Sequence, residues 1–121
     1  MKLLEGKRGI IFGALDEQSI AWKVADKATA EGAQFTLSNV SVALRFGKVN
    51  ELAKQLDAKL IPADATQVED LEKLFEESIE ELGGPIDFVL HSIGMSPNVR
   101  KGRDYTDLHY GFFQKTLDVS A

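Results

Sequence analysis

The chain has 121 residues, 44% of them hydrophobic and 27% charged, with a net charge of −5 and no cysteine. That balance belongs to one soluble globular domain able to bury a core without staples, and it excludes disulfides, thiol chemistry and a disordered or fibrous chain. An acidic chain also lacks the basic face that a general nucleic-acid or membrane-surface role favours, and no apolar run nears the roughly 18 residues of a membrane span.

The start, Met1-Lys2-Leu3-Leu4-Glu5-Gly6, is too short and too soon charged for a signal peptide, which makes a cytoplasmic location the expectation. Four short apolar runs follow, at 9–12, 35–37, 60–61 and 86–90, and each precedes a stretch of helical periodicity. After the first run come Ile20, Val24 and Ala28, with Ala21 and Ala25 beside them. After the second come Val42, Phe46, Val49, Ala53 and Leu56, a helical stripe that Gly47 interrupts at a cost of about 1 kcal/mol relative to Ala. After the third come Val68, Leu71, Phe75, Ile79 and Leu82. That helix opens on Thr66-Gln67-Val68-Glu69, which reads as a capping box, and stops at Gly83-Gly84-Pro85. A last helix starts near Thr106 or Asp107 and carries Leu108, Phe112, Phe113 and Val119. Strands alternating with helices predict an α/β fold: a Rossmann-type parallel sheet of four strands with helices on both faces, part of a doubly wound arrangement.

In such a sheet a ligand binds beyond the carboxyl ends of the strands, beside the first one. Those ends carry 13–21, 38–40, 63–65 and 91–96. The first lacks the three-glycine dinucleotide fingerprint. Gly13 still permits a sharp turn and a close ligand approach, and Ser19 is a good N-cap that would aim helix amides at a pyrophosphate. Equally, Gly13 serves as a plain turn glycine and Ser19 as a plain cap. The second end has no Asp or Glu for a ribose hydroxyl, leaving Asn39 and Ser41 as candidates. It has no adjacent Lys or Arg for a 2′-phosphate, with Arg45 and Lys48 coming later, which favours NADH over NADPH. Asp64 is either an acceptor for an adenine amino group or a loop Asp that caps backbone amides.

Taken together, Gly13 with Ser19-Ile20-Ala21 six residues on, Asp64, His91-Ser92-Ile93-Gly94, the lead-in Leu4-Glu5-Gly6-Lys7 and the final Asp118-Val119-Ser120-Ala121 resemble the enoyl-acyl-carrier-protein reductases. That family is a divergent branch of the short-chain dehydrogenase/reductases, and the likeness runs over essentially the whole chain. It implies an NADH-dependent oxidoreductase of fatty-acid biosynthesis that passes a hydride to an enoyl thioester on acyl-carrier protein, working as a homo-oligomer, a tetramer at full length. It implies that Gly13, Ser19 and Ile20 cradle the pyrophosphate and its ribose. Asp64 and Ala65 would meet adenine, Ile93 and Gly94 would flank the nicotinamide ribose, and Ser96 would lie near the acyl substrate. Val40 stands where the family is often polar. His91 matches a family histidine that is not the proton donor. Arg100, Lys101 and Arg103 read as a solvated loop before a carrier-protein contact, and Trp22 as a packing or interface residue.

The branch uses a tyrosine separated by six residues from a lysine. Here the tyrosines are Tyr105 and Tyr110, and neither has a lysine at the spacings the wider family uses. Residues 1–121 are therefore expected to form the NAD-binding portion of a longer or truncated reductase, with no catalytic residue of their own and no turnover alone. The apolar strand 86–90 would be an uncovered edge inviting association. Two other readings stand beside this: a dinucleotide-binding half-Rossmann module without turnover, and a flavodoxin-like or receiver-like domain. The second is disfavoured because Gly13-Ala14 occupies the place of a receiver's paired acids.

Overall fold

The computed structural model describes residues 2–94 and 110–120, the side chain of Phe46 excepted. Strands β1 (Arg8–Phe12), β2 (Gln34–Ser38) and β3 (Phe88–His91) form a parallel sheet in the order β2-β1-β3. β1 is central, pairing Ile10 with Thr36 on one side and with Val89 on the other. Its alternating side chains feed two cores. Ile10 and Phe12 meet Ile61, Ala63 and Leu74 on one face. Ile11 meets Trp22, Ala25 and Leu52 on the other. Fully burying one such aliphatic side chain is worth about 1.5–3 kcal/mol.

The third of the four expected strands, at 60–61, is reduced to a single bridge, Leu37 with Leu60. Beyond the bridge, Ile61 N donates to Leu37 O at 2.9 Å and Ala63 N to Asn39 O at 3.1 Å. Two apolar residues followed by Pro62, which has no N–H, are enough to lie on the free edge of β2 but too short for a ladder.

Helix α1 (Ile20–Ala30) buries Ala21, Trp22, Ala25 and Ala28, while Ile20 is 72% exposed. The buried stripe is thus centred one position later than the periodicity suggests, because small alanines let the helix settle close to the sheet. Trp22 is a core residue.

The stripe from Val42 to Leu56 divides into α2 (Ser41–Phe46) and α3 (Val49–Leu56). The break is at Gly47, where an added Cβ would lie 2.6 Å from Leu15 Cδ1 and 2.8 Å from the Leu15 carbonyl. Lys48 N then donates to that carbonyl at 2.7 Å.

Helix α4 (Val68–Leu82) ends where the sequence says it should, with Gly83 in the left-handed region at φ 75°. Its start differs. Gln67 is the N-cap and makes no side-chain cap bond, so the expected capping box does not form. Thr66 is engaged with Asp64 instead. The buried positions are Leu74 and Ser78, and Phe75 and Ile79 are exposed. Ser78 faces inward because its hydroxyl meets that of Thr36 at 2.7 Å, both side chains being fully buried.

Helix α5 (Tyr110–Ser120) has no buried residue; Tyr110, Phe113 and Leu117 form an exposed apolar row. The expected start of that helix, 106–109, lies outside the described residues. β3 is a sheet edge among the described residues, and Val89 on it is about half exposed.

Candidate cofactor-binding site

All three strands point the same way, so their carboxyl ends gather at one pole. Gly13 leaves β1 with φ 105°, its N–H donating to Ser38 O at 3.1 Å. A Cβ there would collide with the Ser92 carbonyl at the end of β3, so only glycine passes between the neighbouring strands. Ser92 N donates back to Phe12 O at 3.2 Å. Gly13 and the 92–94 segment are thereby in direct contact.

The loop from Gly13 to α1 is shaped by Ser19. Its hydroxyl accepts from Leu15 N at 3.2 Å and Trp22 N at 3.4 Å and donates to Asp16 O at 2.8 Å. The cap expectation holds, but the hydroxyl is committed within the chain. Anion-binding capacity rests instead on the backbone: the amides of Ile20 and Ala21 have no acceptor among the described residues. No acid occupies the first turn of α1. Of the two acids in the preceding loop, Glu17 pairs with Lys48 at 3.6 Å and Asp16 Oδ1 accepts from Gln18 N at 2.9 Å. Unpaired amides at a helix N-terminus are donors that an anion such as a phosphate can engage.

Asn39 corrects one reading. Its carboxamide donates to Ala14 O at 3.0 Å and accepts from Val40 N at 2.8 Å, and the residue is buried. It is therefore not free for a ribose; it ties the first loop to the end of β2, while its own carbonyl receives Ala63 N. Ser41 and Arg45 are exposed on α2, and Val40 is its N-cap without a side-chain bond.

Asp64 follows Ala63 at the same pole. Its Oδ1 accepts from Thr66 N at 2.9 Å and from Thr66 Oγ1 at 2.7 Å. Its own N–H donates to Asp70 Oδ2 at 2.9 Å. The Thr66 hydroxyl, then the Thr66 amide, hold the Asp64 carboxyl below the usual carboxylate range, with partial burial opposing and Lys115 on α5 adding a smaller pull. Ala65 and Ile93 both pack on the Ile10–Phe12 side of the sheet, and a Cβ on Gly94 would sit 3.7 Å from Ser120 Oγ. His91 is exposed at the end of β3.

Gly13, Ser19, Ile20, Asp64, Ala65, Ile93 and Gly94 thus share one pole. Ser96, the basic cluster of Arg100, Lys101 and Arg103, and Tyr105 lie outside the described residues. Sequence reading missed Thr66 and Asp70, although Asp64-Ala65-Thr66 has the spacing of an Asx turn. A cavity of about 280 Å³ lies at the opposite pole, lined by Thr29, Phe35, Leu56, Lys59 and Glu81 among others. It contains none of these residues.

A family profile described as Enoyl-(Acyl carrier protein) reductase matches residues 13–121. The chain belongs to that reductase family. It is 37% identical over 121 residues to the enoyl-[acyl-carrier-protein] reductase [NADH] FabI of Rickettsia bellii, covering 98% of this chain and 45% of the relative. With enoyl-[acyl-carrier-protein] reductase [NADH] 1 of Rhizobium meliloti it shares 34% over 120 residues, covering 98% and 43%. The crystal structure of the FabI–NADH complex from Alistipes finegoldii superposes with a TM-score of 0.93 at 58% identity, over 98% of this chain and 42% of that one. The Bacillus cereus enoyl-acyl carrier protein reductase with NADP+ and indole naphthyridinone gives 0.86 at 29% identity, over 100% and 48%. This family member therefore spans less than half the length of the relatives it matches. The missing three-glycine fingerprint is no obstacle to membership, which rests on the family match over residues 13–121.

Proposed function

We propose that this chain is the cofactor-holding part of an NADH-dependent enoyl-acyl-carrier-protein reductase of fatty-acid biosynthesis. Its substrate is an enoyl thioester carried on acyl-carrier protein. The observation that carries the reading is the pair of unpartnered amides of Ile20 and Ala21 beside Gly13, at the pole where β1, β2 and β3 end. The NADH complex of the Alistipes relative supports it.

Gly13 and Ser19 shape the loop, and the Ile20 and Ala21 amides would bind the pyrophosphate. Asp64, with Ala65 beside it, would accept from the adenine amino group. Ile93 and Gly94 would line the nicotinamide ribose, and Ser96 the acyl approach. When bound, NADH supplies the hydride. The preference for NADH over NADPH rests on the β2 end, where Ser38, Asn39 and Val40 place no Lys or Arg directly at the strand end for a 2′-phosphate, Arg45 and Lys48 coming later. No tyrosine–lysine pair of the family spacing lies in the 121 residues, so no turnover is expected of them alone. The exposed apolar row on α5 supports self-association, with a cytoplasmic tetramer at full length proposed from the family resemblance.

The test adds NADH and crotonyl thioester to this chain and to any longer gene product that contains it, following nicotinamide absorbance and calorimetric binding. Binding by both with turnover by the longer product alone is the expected result. Binding without turnover by both refutes the enzyme, and tighter NADPH binding refutes the cofactor preference.

A further inference from the structure

The contacts of Asp64 divide its carboxylate into two unequal oxygens. Oδ1 takes two bonds from Thr66, from the amide at 2.9 Å and the hydroxyl at 2.7 Å. Oδ2 has no hydrogen-bond partner among the described residues. A carboxylate accepts through both oxygens, so a second acceptor site stays open. The backbone below is fixed as well. Asp64 N donates to Asp70 on the first turn of α4, and the preceding Ala63 is buried and bonded to Asn39 O. Main chain and one oxygen are thus held before any ligand arrives, and little rotational freedom is left to lose on binding.

We propose that Thr66 is a positioning residue for nucleotide recognition: by locking Oδ1 of Asp64 it presents Oδ2 to the exocyclic amino group of adenine. The inference rests on the reading of Asp64 as the adenine acceptor and adds what makes that acceptor selective. Thr66 itself touches no cofactor in this scheme. Its hydroxyl acts through Asp64, and Asp70 supports the same turn through the backbone. Without the hydroxyl, Asp64 keeps the amide bond but regains side-chain rotation, and the discrimination that depends on a fixed acceptor falls.

Three reduced nicotinamide probes, two dinucleotides and one mononucleotide, separate this role from a general structural one. NADH carries the 6-amino group, its hypoxanthine analogue carries an oxo group there, and reduced nicotinamide mononucleotide has no base at this site. Calorimetric Kd values are measured for wild type, Thr66→Val and Thr66→Ser. Thr66→Val is expected to weaken NADH by about 3- to 10-fold, the scale of one ordinary net hydrogen bond. The hypoxanthine analogue and the mononucleotide should be unchanged, and Thr66→Ser should restore NADH binding. Full NADH preference in Thr66→Val overturns the proposal while leaving Asp64 as the adenine contact. Equal weakening of all three probes also overturns it, marking Thr66 as merely structural. A wild-type protein that binds NADH and its hypoxanthine analogue alike overturns both readings together.

Discussion

Replacing Gly13 by Ala tests the geometry on which the candidate site depends. The residue has φ 105°, and an added Cβ would meet the Ser92 carbonyl carbon at 2.7 Å, with the oxygen closer still. An L-residue forced to positive φ costs about 1–2 kcal/mol. Relieving the collision requires β1 and β3 to part at their carboxyl ends, which endangers the Ser92 N to Phe12 O bond and the Gly13 N to Ser38 O bond. Each is worth about 0.5–1.5 kcal/mol. The expected destabilisation is roughly 2–5 kcal/mol, a large share of the roughly 5–15 kcal/mol that holds a typical domain folded. In urea, with a slope of about 1–3 kcal/mol/M, the midpoint should fall by roughly 1–3 M. NADH affinity should fall with it, because the moved segment leads directly into Ile93 and Gly94. A midpoint shift below about 0.5 M with unchanged NADH binding would refute the close approach of Gly13 to Ser92.

The buried Thr36–Ser78 pair should behave as a unit. Thr36→Val or Ser78→Ala alone strands a hydroxyl and costs about 1–3 kcal/mol, whereas the double variant approaches neutrality; strictly additive losses in a denaturation cycle would disprove the bond. For Asp64, Thr66 lowers the folded-state pKa below the unfolded value, so its stabilisation is complete above the ordinary carboxylate pKa and disappears as pH falls through the folded one. The stability gap between wild type and Thr66→Val should be flat above about pH 5 and narrow in acid; urea midpoints at several pH values check it, and a gap that widens in acid contradicts the assignment.

Elements whose signals are local were legible in the sequence. Gly83 ends α4 in the left-handed region that the Gly-Gly-Pro stop requires, and Ser19 caps α1. The parallel arrangement followed from apolar runs separated by helices. Features decided by a distant partner were not. Gly47 was visible as a weak point, but a clean break there needs the Leu15 loop to press against it, and periodicity carries no trace of that. The stripe through Phe75 and Ile79 suggests one buried face for α4, yet Thr36 draws in Ser78 and turns Leu74 to the core. Thr66 fitted two local patterns, a helix cap and an Asx turn, and only the position of Asp64 decides between them. Gly13 was legible as a turn glycine and Asp64 as a loop Asp that caps a backbone amide, as its bond from Thr66 N shows. Asn39 was misjudged as a ligand donor because its commitment to Ala14 appears only once two strand ends are side by side.

The bond from Lys48 N to the Leu15 carbonyl joins the loop leaving β1 to the junction between α2 and α3. That amide belongs to neither helix, so its protection from solvent deuterium measures whether the first loop is closed rather than whether a helix is intact. Ligand-induced tightening of 13–19 would thus be written into the exchange rate of one proton at Lys48, a residue with no assigned contact to the nucleotide.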